Sequence, residues 1–375
     1  MRSKPTVMFA ANRGYALSNS RTELIQHFID SGWQVVLSTS DDEESRALCD
    51  MGAYLEPVIF NRGGLSTLGD IYSYQRLVNI FRKWKPNLVH HFHAKPVILG
   101  SLAARRILKE EVRIVNTITG LGHAFIKGGI VARLAGVGYR YALPASDTTI
   151  FQNRDDQALF MQHGWGTENK AVLITGSGVD IRRFEVADRS GHSDQNPVVV
   201  MLGRLLWQKG VSEFIDVARR IRARWHNARF LWAGEEDPVH PDSVSAQWLR
   251  SQSGVDYLGR LVDVAPLLKK ADLLLFPSYR EGVPRVILEA AATGLPAVGF
   301  DVPGVREAVV DHVTGYLVPH GDVESLSMRV MELLENPKKR EIMGKAARRM
   351  VETQFDIKAI QRQYFNVYRR LDVGL

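Results

Sequence analysis

A chain of 375 residues exceeds what one hydrophobic core usually supports, so two domains of about 180 residues each are expected. With 45% hydrophobic and 24% charged residues the composition is that of a soluble globular protein, and the single cysteine, Cys49, rules out an internal disulfide and fits a reducing cytosol. No apolar run approaches the roughly 18 residues of a membrane-spanning helix, and the apolar stretch after Met1-Arg2-Ser3-Lys4 is too short for a secretory leader, so a protein neither secreted nor membrane-spanning is expected.

Taken in chain order, short apolar runs at 6–11, 34–38, 88–91, 114–118 and 148–151 predict strands, and helical periodicity at 21–31 and 71–85 predicts helices between them. Such alternation implies a parallel sheet with helices on both faces, an α/β architecture. The polar, aperiodic stretch DRSGHSDQNP at 188–197 reads as a linker between a domain at 1–187 and one at 198–354. Beyond it the pattern returns, with strands expected at 198–202, 229–233, 273–276 and 297–300 and helices after Gly210 and Pro284. The final segment, 355–375, is helical and basic-amphipathic.

The net charge of +7 is uneven. Twelve Lys/Arg fall between positions 76 and 140 against two acids, Glu110 and Glu111, a local surplus of ten. A solvated basic face is one reading; attraction to an anionic membrane surface or to a diphosphate-bearing substrate is the other. Nucleic acid is not expected, because no aromatic stacking platform accompanies the charge. His90, His91 and His93 fall in HHFHAKPVILG, where strand alternation sends His90 to one face and His91 and His93 to the other, with no cysteine or acid to complete a metal set.

The stretch PSYREGVPRVILEAAA at 277–292 is the most informative. Glu281 and Glu289 are eight residues apart, just over two helical turns, so a helix opening near Pro284 sets both carboxylates towards one pocket. Pro284 suits a first helical position, Gly282 permits a tight turn, and the helix N-terminus offers backbone N–H groups to an anion. Upstream, Arg204 follows a strand and Lys209 lies five residues on, just before Gly210. Surface ion pairing explains such cations; so does the need of a departing diphosphate for positive charge.

This stretch, with GRLLWQKG at 203–210 and GSGVDIRRF at 176–184, resembles the retaining GT-B glycosyltransferases of family 4. The resemblance implies two Rossmann-like domains facing each other across a cleft, a C-terminal helix crossing back to the first domain, and retaining transfer of a sugar from a nucleotide-diphosphate donor. It places Arg204 and Lys209 on the diphosphate, Glu281 on the sugar hydroxyls and Glu289 on the ribose. Backbone around Gly282, Val283, Pro284, Arg285 and Val286 would meet the distal phosphate or sugar, Arg260 the base, and the loop of Gly14 the donor phosphates. Arg21 is a candidate acceptor contact.

Many family members carry a histidine directly after the strand matching 114–118; this chain has Thr119-Gly120-Leu121-Gly122, with His123 only afterwards. That departure, with the Lys95-Pro96 pair, resembles the subgroup acting on polyprenyl-diphosphate-linked sugars in bacterial envelope polysaccharide assembly, and it makes Lys95, Thr119 and His123 acceptor-side candidates. The expected partners are a nucleotide-diphosphate sugar, a polyprenyl-diphosphate-linked acceptor and the anionic inner face of the cytoplasmic membrane. No cofactor is expected, and no metal, since no Asp-x-Asp pair occurs. A GT-B sugar phosphorylase, an epimerase and a non-catalytic sugar-nucleotide binder stay open beside the transferase.

Overall fold

The computed structural model describes residues 4–61, 66–121, 125, 128–189 and 196–373. Contacts divide the chain into two units, Met1–Thr175 with Gln361–Leu375, and Gly176–Ile360. Residues 176–187, expected in the first domain, belong to the second: Val179 N–H donates to Phe355 O (2.9 Å), Ala187 N–H to Thr293 O (3.1 Å), and Phe184 lies in the second unit's core. Of the expected linker, residues 190–195 lie outside the described residues.

Among the described residues of the first unit, seven parallel strands run in the order β3-β2-β1-β4-β5-β6-β7. They are β1 (Thr6–Ala10), β2 (Gln34–Ser38), β3 (Tyr54–Leu55), β4 (Leu88–Phe92), β5 (Arg113–Ile118), β6 (Thr148–Phe151) and β7 (Ala171–Leu173). Both faces of β1 and β4 are buried, as expected of strands at the centre of a parallel sheet. The described residues of the second unit form six parallel strands in the order β10-β9-β8-β11-β12-β13: β8 (Val198–Leu202), β9 (Arg229–Ala233), β10 (Asp256–Gly259), β11 (Leu273–Phe276), β12 (Ala297–Phe300) and β13 (Gly315–Val318).

Each order reverses once, at β1/β4 in the first sheet (Val7 beside both Val35 and Leu88) and at β8/β11 in the second (Val199 beside both Phe230 and Leu273). Open α/β sheets bind ligands beyond the carboxyl ends of their strands at such a reversal. The segments after β1, β4, β8 and β11 are therefore the ones that topology marks for function.

All nine expected strands form. The four that were not expected, β3, β7, β10 and β13, are the sheet edges. The first helix spans Gly14–Asp30, beginning seven residues before its apolar periodicity. Its N-terminus is capped from a distance: Asp42 Oδ2 accepts the Gly14 N–H at 3.0 Å, while Asp42 Oδ1 accepts the Ser45 N–H at 2.9 Å to open the helix Glu43–Asp50.

The terminal helix, Ile357–Arg370, completes the first unit's core through Tyr364 and Tyr368, both buried. Tyr368 packs edge-on against Phe28 at 5.5 Å, and its hydroxyl lies 2.6 Å from His90 Nδ1.

Candidate active site

At the reversal in the second unit, the loops after β8 and β11 are locked together through their backbones. Gly210 has φ +78°, and a Cβ there would stand 2.2 Å from Pro277 O, so only glycine lets the two loops approach this closely. Tyr279 N–H donates to Gln208 O at 3.0 Å, while Gln208 N–H is held by Asp242 Oδ2 at 2.8 Å.

That clamp sets Lys209 against Glu281 in an ion pair whose side chains are only 17% and 14% exposed. Ser278 Oγ donates to the same carboxylate oxygen at 2.6 Å, and the Glu281 backbone N–H donates to Pro303 O at 3.0 Å, so two donors hold the carboxylate and a third bond holds its backbone. Arg204 is oriented in the same manner by Asp237, Nη1 to Oδ2 at 2.7 Å. A guanidinium has five N–H donors and an ammonium three, so neither cation is saturated by one carboxylate.

The helix Arg285–Ala292 follows, with Pro284 at its N-cap, one residue earlier than its expected first helical position, and no side chain capping its N-terminus. Glu289 is buried and stands 3.5 Å from Arg285. Burial pushes its carboxyl above the usual glutamate range, against the opposing pull of Arg285 and Arg183. Glu281 and Glu289 thus answer to different cations. Val283 and Pro284 are buried, Val286 is half-buried, and Arg260 is exposed in the turn after β10. The carboxyl end of the second sheet therefore carries two oriented cations, a helix N-terminus with no side-chain cap and two carboxylates of different environment. Such a set suits a polyanion joined to a polyhydroxyl group.

The first unit corrects two expectations. Gly14, expected to let backbone approach donor phosphates, makes room for Asp42 instead, since a Cβ there would stand 2.0 Å from Asp42 Oδ1 and its N–H is already taken. Arg21, expected at the acceptor, is buried. Its guanidinium stacks between Phe92 (4.9 Å) and Tyr364 (4.7 Å) and donates to Tyr364 Oη at 3.0 Å, so it fastens the terminal helix.

His90 lies between the Tyr368 hydroxyl and Thr117 Oγ1 (2.6 and 2.7 Å), and His91 Nδ1 is 2.9 Å from Asn116 Oδ1. Their burial depresses both imidazoles, His91 to about 4 and His90 well below its usual range. These two are packing residues on opposite faces of β4, while His93 lies past the strand with φ +71°. Among the described residues, no group of three His, Cys, Asp or Glu is arranged to hold a metal.

Lys95 opens the π-helical turn Pro96–Gly100 after β4 and pairs with Asp70 at 2.7 Å. Thr119 is half-buried immediately after β5, and His123 lies outside the described residues.

Residues that sequence reasoning passed over are the ones that hold the site in place: Asp237, which pairs with Arg204, Asp242, which holds the Gln208 backbone, Ser278, which donates to Glu281, and Arg183, whose charge acts on Glu289. Arg183 stood in the quoted GSGVDIRRF motif. The acids of EEDPVHPD gave a local charge signal with nothing to say which cation they face.

Residues 183–350 match the family described as glycosyl transferases group 1, and residues 7–153 match glycosyl transferase 4-like. The chain is 28% identical over 377 residues to the N,N'-diacetylbacillosaminyl-diphospho-undecaprenol alpha-1,3-N-acetylgalactosaminyltransferase of Campylobacter jejuni, covering 97% of this chain and 98% of that one. It is 25% identical to the UDP-Gal:alpha-D-GlcNAc-diphosphoundecaprenol alpha-1,3-galactosyltransferase of Escherichia coli, over 78% of each. In fold it is similar to the sucrose-phosphate synthase of Thermosynechococcus elongatus, with a TM-score of 0.80 at 18% identity over 99% of this chain and all of that one.

Proposed function

We propose a donor, an acceptor and a place of work for this chain, which belongs to the GT-B glycosyltransferases. The donor is a UDP-sugar, as in the name of the Escherichia coli enzyme, the acceptor a sugar linked to polyprenyl diphosphate, as in the names of both similar enzymes, and the product an envelope glycan intermediate. The observation that carries the donor assignment is the Lys209–Glu281 pair, locked by two loops beside Arg204 and the N-terminus of the helix Arg285–Ala292.

Arg204 and Lys209 take the diphosphate, with backbone of 282–286 on the distal phosphate, so the charge developing on the leaving group is met by fixed cations with no metal required. Glu281 accepts from hydroxyls of the transferred sugar and Glu289 from the ribose. The sugar carbon's bond to the β-phosphate oxygen breaks while the acceptor hydroxyl attacks from the same face, its proton passing to the departing phosphate, so the anomeric configuration is retained. Lys95 and Thr119, beyond β4 and β5 of the first unit, serve the acceptor.

No helix of the described residues is long and apolar enough to cross a membrane. Peripheral attachment is supported by the helix Gly129–Ala142, where Ile130, Leu134, Val137 and Tyr141, at helical spacing, are 48–70% exposed and flanked by Arg133 and Arg140. Phe125, just before this helix, packs on Trp165 at 5.8 Å and adds nothing to the exposed stripe.

The basic surplus is smaller than the sequence count suggested. Arg76 and Lys83 face Glu56, Lys95 faces Asp70, and Arg105 and Arg113 face Asp147, three acids from outside the 76–140 window. Incubation with a panel of labelled UDP-sugars and bacterial lipid extract tests this reading. Label entering the organic phase is expected; label confined to water-soluble products would overturn the acceptor assignment.

A further inference from the structure

Away from the donor loops, a groove of about 800 Å³ opens on the first unit between the helices Thr67–Trp84, Ser101–Leu108 and Gly129–Ala142. Its volume falls in the range of about 300–1,000 Å³ usual for small-molecule sites. Ile71, Val78, Leu99, Ile107 and Leu134 line it with hydrocarbon. Ile71 and Leu134, both in its walls, are about half exposed and add to a continuous apolar lining.

Two guanidiniums, of Arg82 and Arg106, share the same walls. Among the described residues neither has a carboxylate partner; Arg106 reaches the Tyr74 hydroxyl at 3.5 Å. Their basic neighbours Arg76, Lys83, Lys95 and Arg105 are all paired with acids.

An apolar channel bearing two uncompensated cations is complementary to an amphiphile with one hydrocarbon chain and a multiply charged anionic head. A second copy of this chain fits poorly, because a two-fold contact would set each copy's arginines against the same arginines in a protein of net charge +7. Placement narrows the choice further. Leu134 belongs both to the groove and to the exposed stripe of Gly129–Ala142, so hydrocarbon can pass from a bilayer into the groove without crossing polar surface. At the other end Asp70, also in the wall, holds Lys95 just beyond the carboxyl end of β4, at the sheet's topological reversal.

Building on the lipid-diphosphate acceptor proposed above, we infer that this groove seats the isoprenoid chain of the acceptor's carrier lipid, with Arg82 and Arg106 meeting its phosphates. A site of this kind selects the carrier by its chain as well as by its sugar.

Geranylgeranyl diphosphate, titrated calorimetrically into the full chain, is the test. It should bind at least tenfold more tightly than pyrophosphate alone or geranylgeraniol alone. Ile71→Asp/Leu134→Asp and Arg82→Gln/Arg106→Gln should each weaken it at least tenfold while melting within a few degrees of wild type and binding UDP normally. Wild-type affinity in both variants would overturn the groove assignment and leave the lipid acceptor standing. Absence of binding to the wild-type protein would overturn both. Equal displacement by dihexanoylphosphatidylglycerol would show a general phospholipid site and would also overturn the inference.

Discussion

Replacing Lys209 by methionine keeps the side chain's length and apolar stem and removes its charge. Glu281 then stays 14% exposed with Ser278 Oγ as its remaining side-chain donor. At an effective dielectric near 20 two unit charges about 4 Å apart attract by about 4 kcal/mol, and removing one partner of a well-buried pair costs about 3–5 kcal/mol. Discounting for residual exposure and for the serine leaves a loss of about 2 kcal/mol in the second unit, equivalent to a fall of about 4–8 °C in its melting temperature.

Turnover should fall further. One charge removed from a leaving diphosphate is worth about 3 kcal/mol, or about 10²-fold in kcat. The double variant Lys209→Met/Glu281→Gln separates these effects, because a neutral carboxamide needs no counter-charge: melting should recover most of the loss while kcat stays low. Calorimetric melting and steady-state sugar transfer are the assays. A folded Lys209→Met protein with kcat within threefold of wild type would refute the reasoning, as would a double variant no more stable than the single one.

The two glutamates should differ. Glu281→Gln is expected to keep UDP affinity within a few-fold and lose transfer, and Glu289→Gln to weaken UDP binding; equal losses of affinity by calorimetry would contradict their separate roles. Since burial raises the Glu289 carboxyl above the usual range, its neutral form stabilises the fold fully below the unfolded value of about 4.5, and that stabilisation is lost as pH rises through the folded value. UDP binding, which uses the ionised form, should therefore release a proton and weaken as pH falls through that folded value; pH-independent affinity with no proton release would count against the ribose contact. Chelation by EDTA should leave transfer intact, and activity abolished by it and restored by magnesium or manganese would refute metal-independent leaving-group stabilisation. For His91, whose folded value is about 4, the neutral ring's contribution is complete above 6.5 and is lost as pH falls from 6.5 towards 4, about 3 kcal/mol in all. His91→Gln should accordingly melt with a shallower pH dependence over that interval, and an unchanged slope would show that another group carries it.

Much of the donor edge was legible because its chemistry is local. Glu281, Pro284 and Glu289 sit within one strand-turn-helix, and Gly210 marks a backbone approach that any side chain would block. What escaped were partners supplied by distant segments. Asp42 arrives 28 residues after Gly14 and turns an apparent phosphate loop into a capped helix start. Arg21, a candidate acceptor contact in the sequence, is held instead by Tyr364, 343 positions later. The basic window likewise lost charge to Glu56 and Asp147, acids outside it that only the fold brings near. Edge strands β3 and β7 hid for a different reason: two and three residues are too few to show a period.

The central claim is retaining transfer from a UDP-sugar to a diphosphate-linked lipid by the second unit's paired loops. Its most direct test is proton NMR of the product formed from an α-linked UDP-sugar and a synthetic polyprenyl-diphosphate-linked N-acetylhexosamine, with the Arg204→Ala protein as control. An α-linked disaccharide on the lipid, formed by the wild-type protein and at least about 10²-fold more slowly by the variant, is the predicted result. A β-linked product, or undiminished transfer by Arg204→Ala, would contradict it.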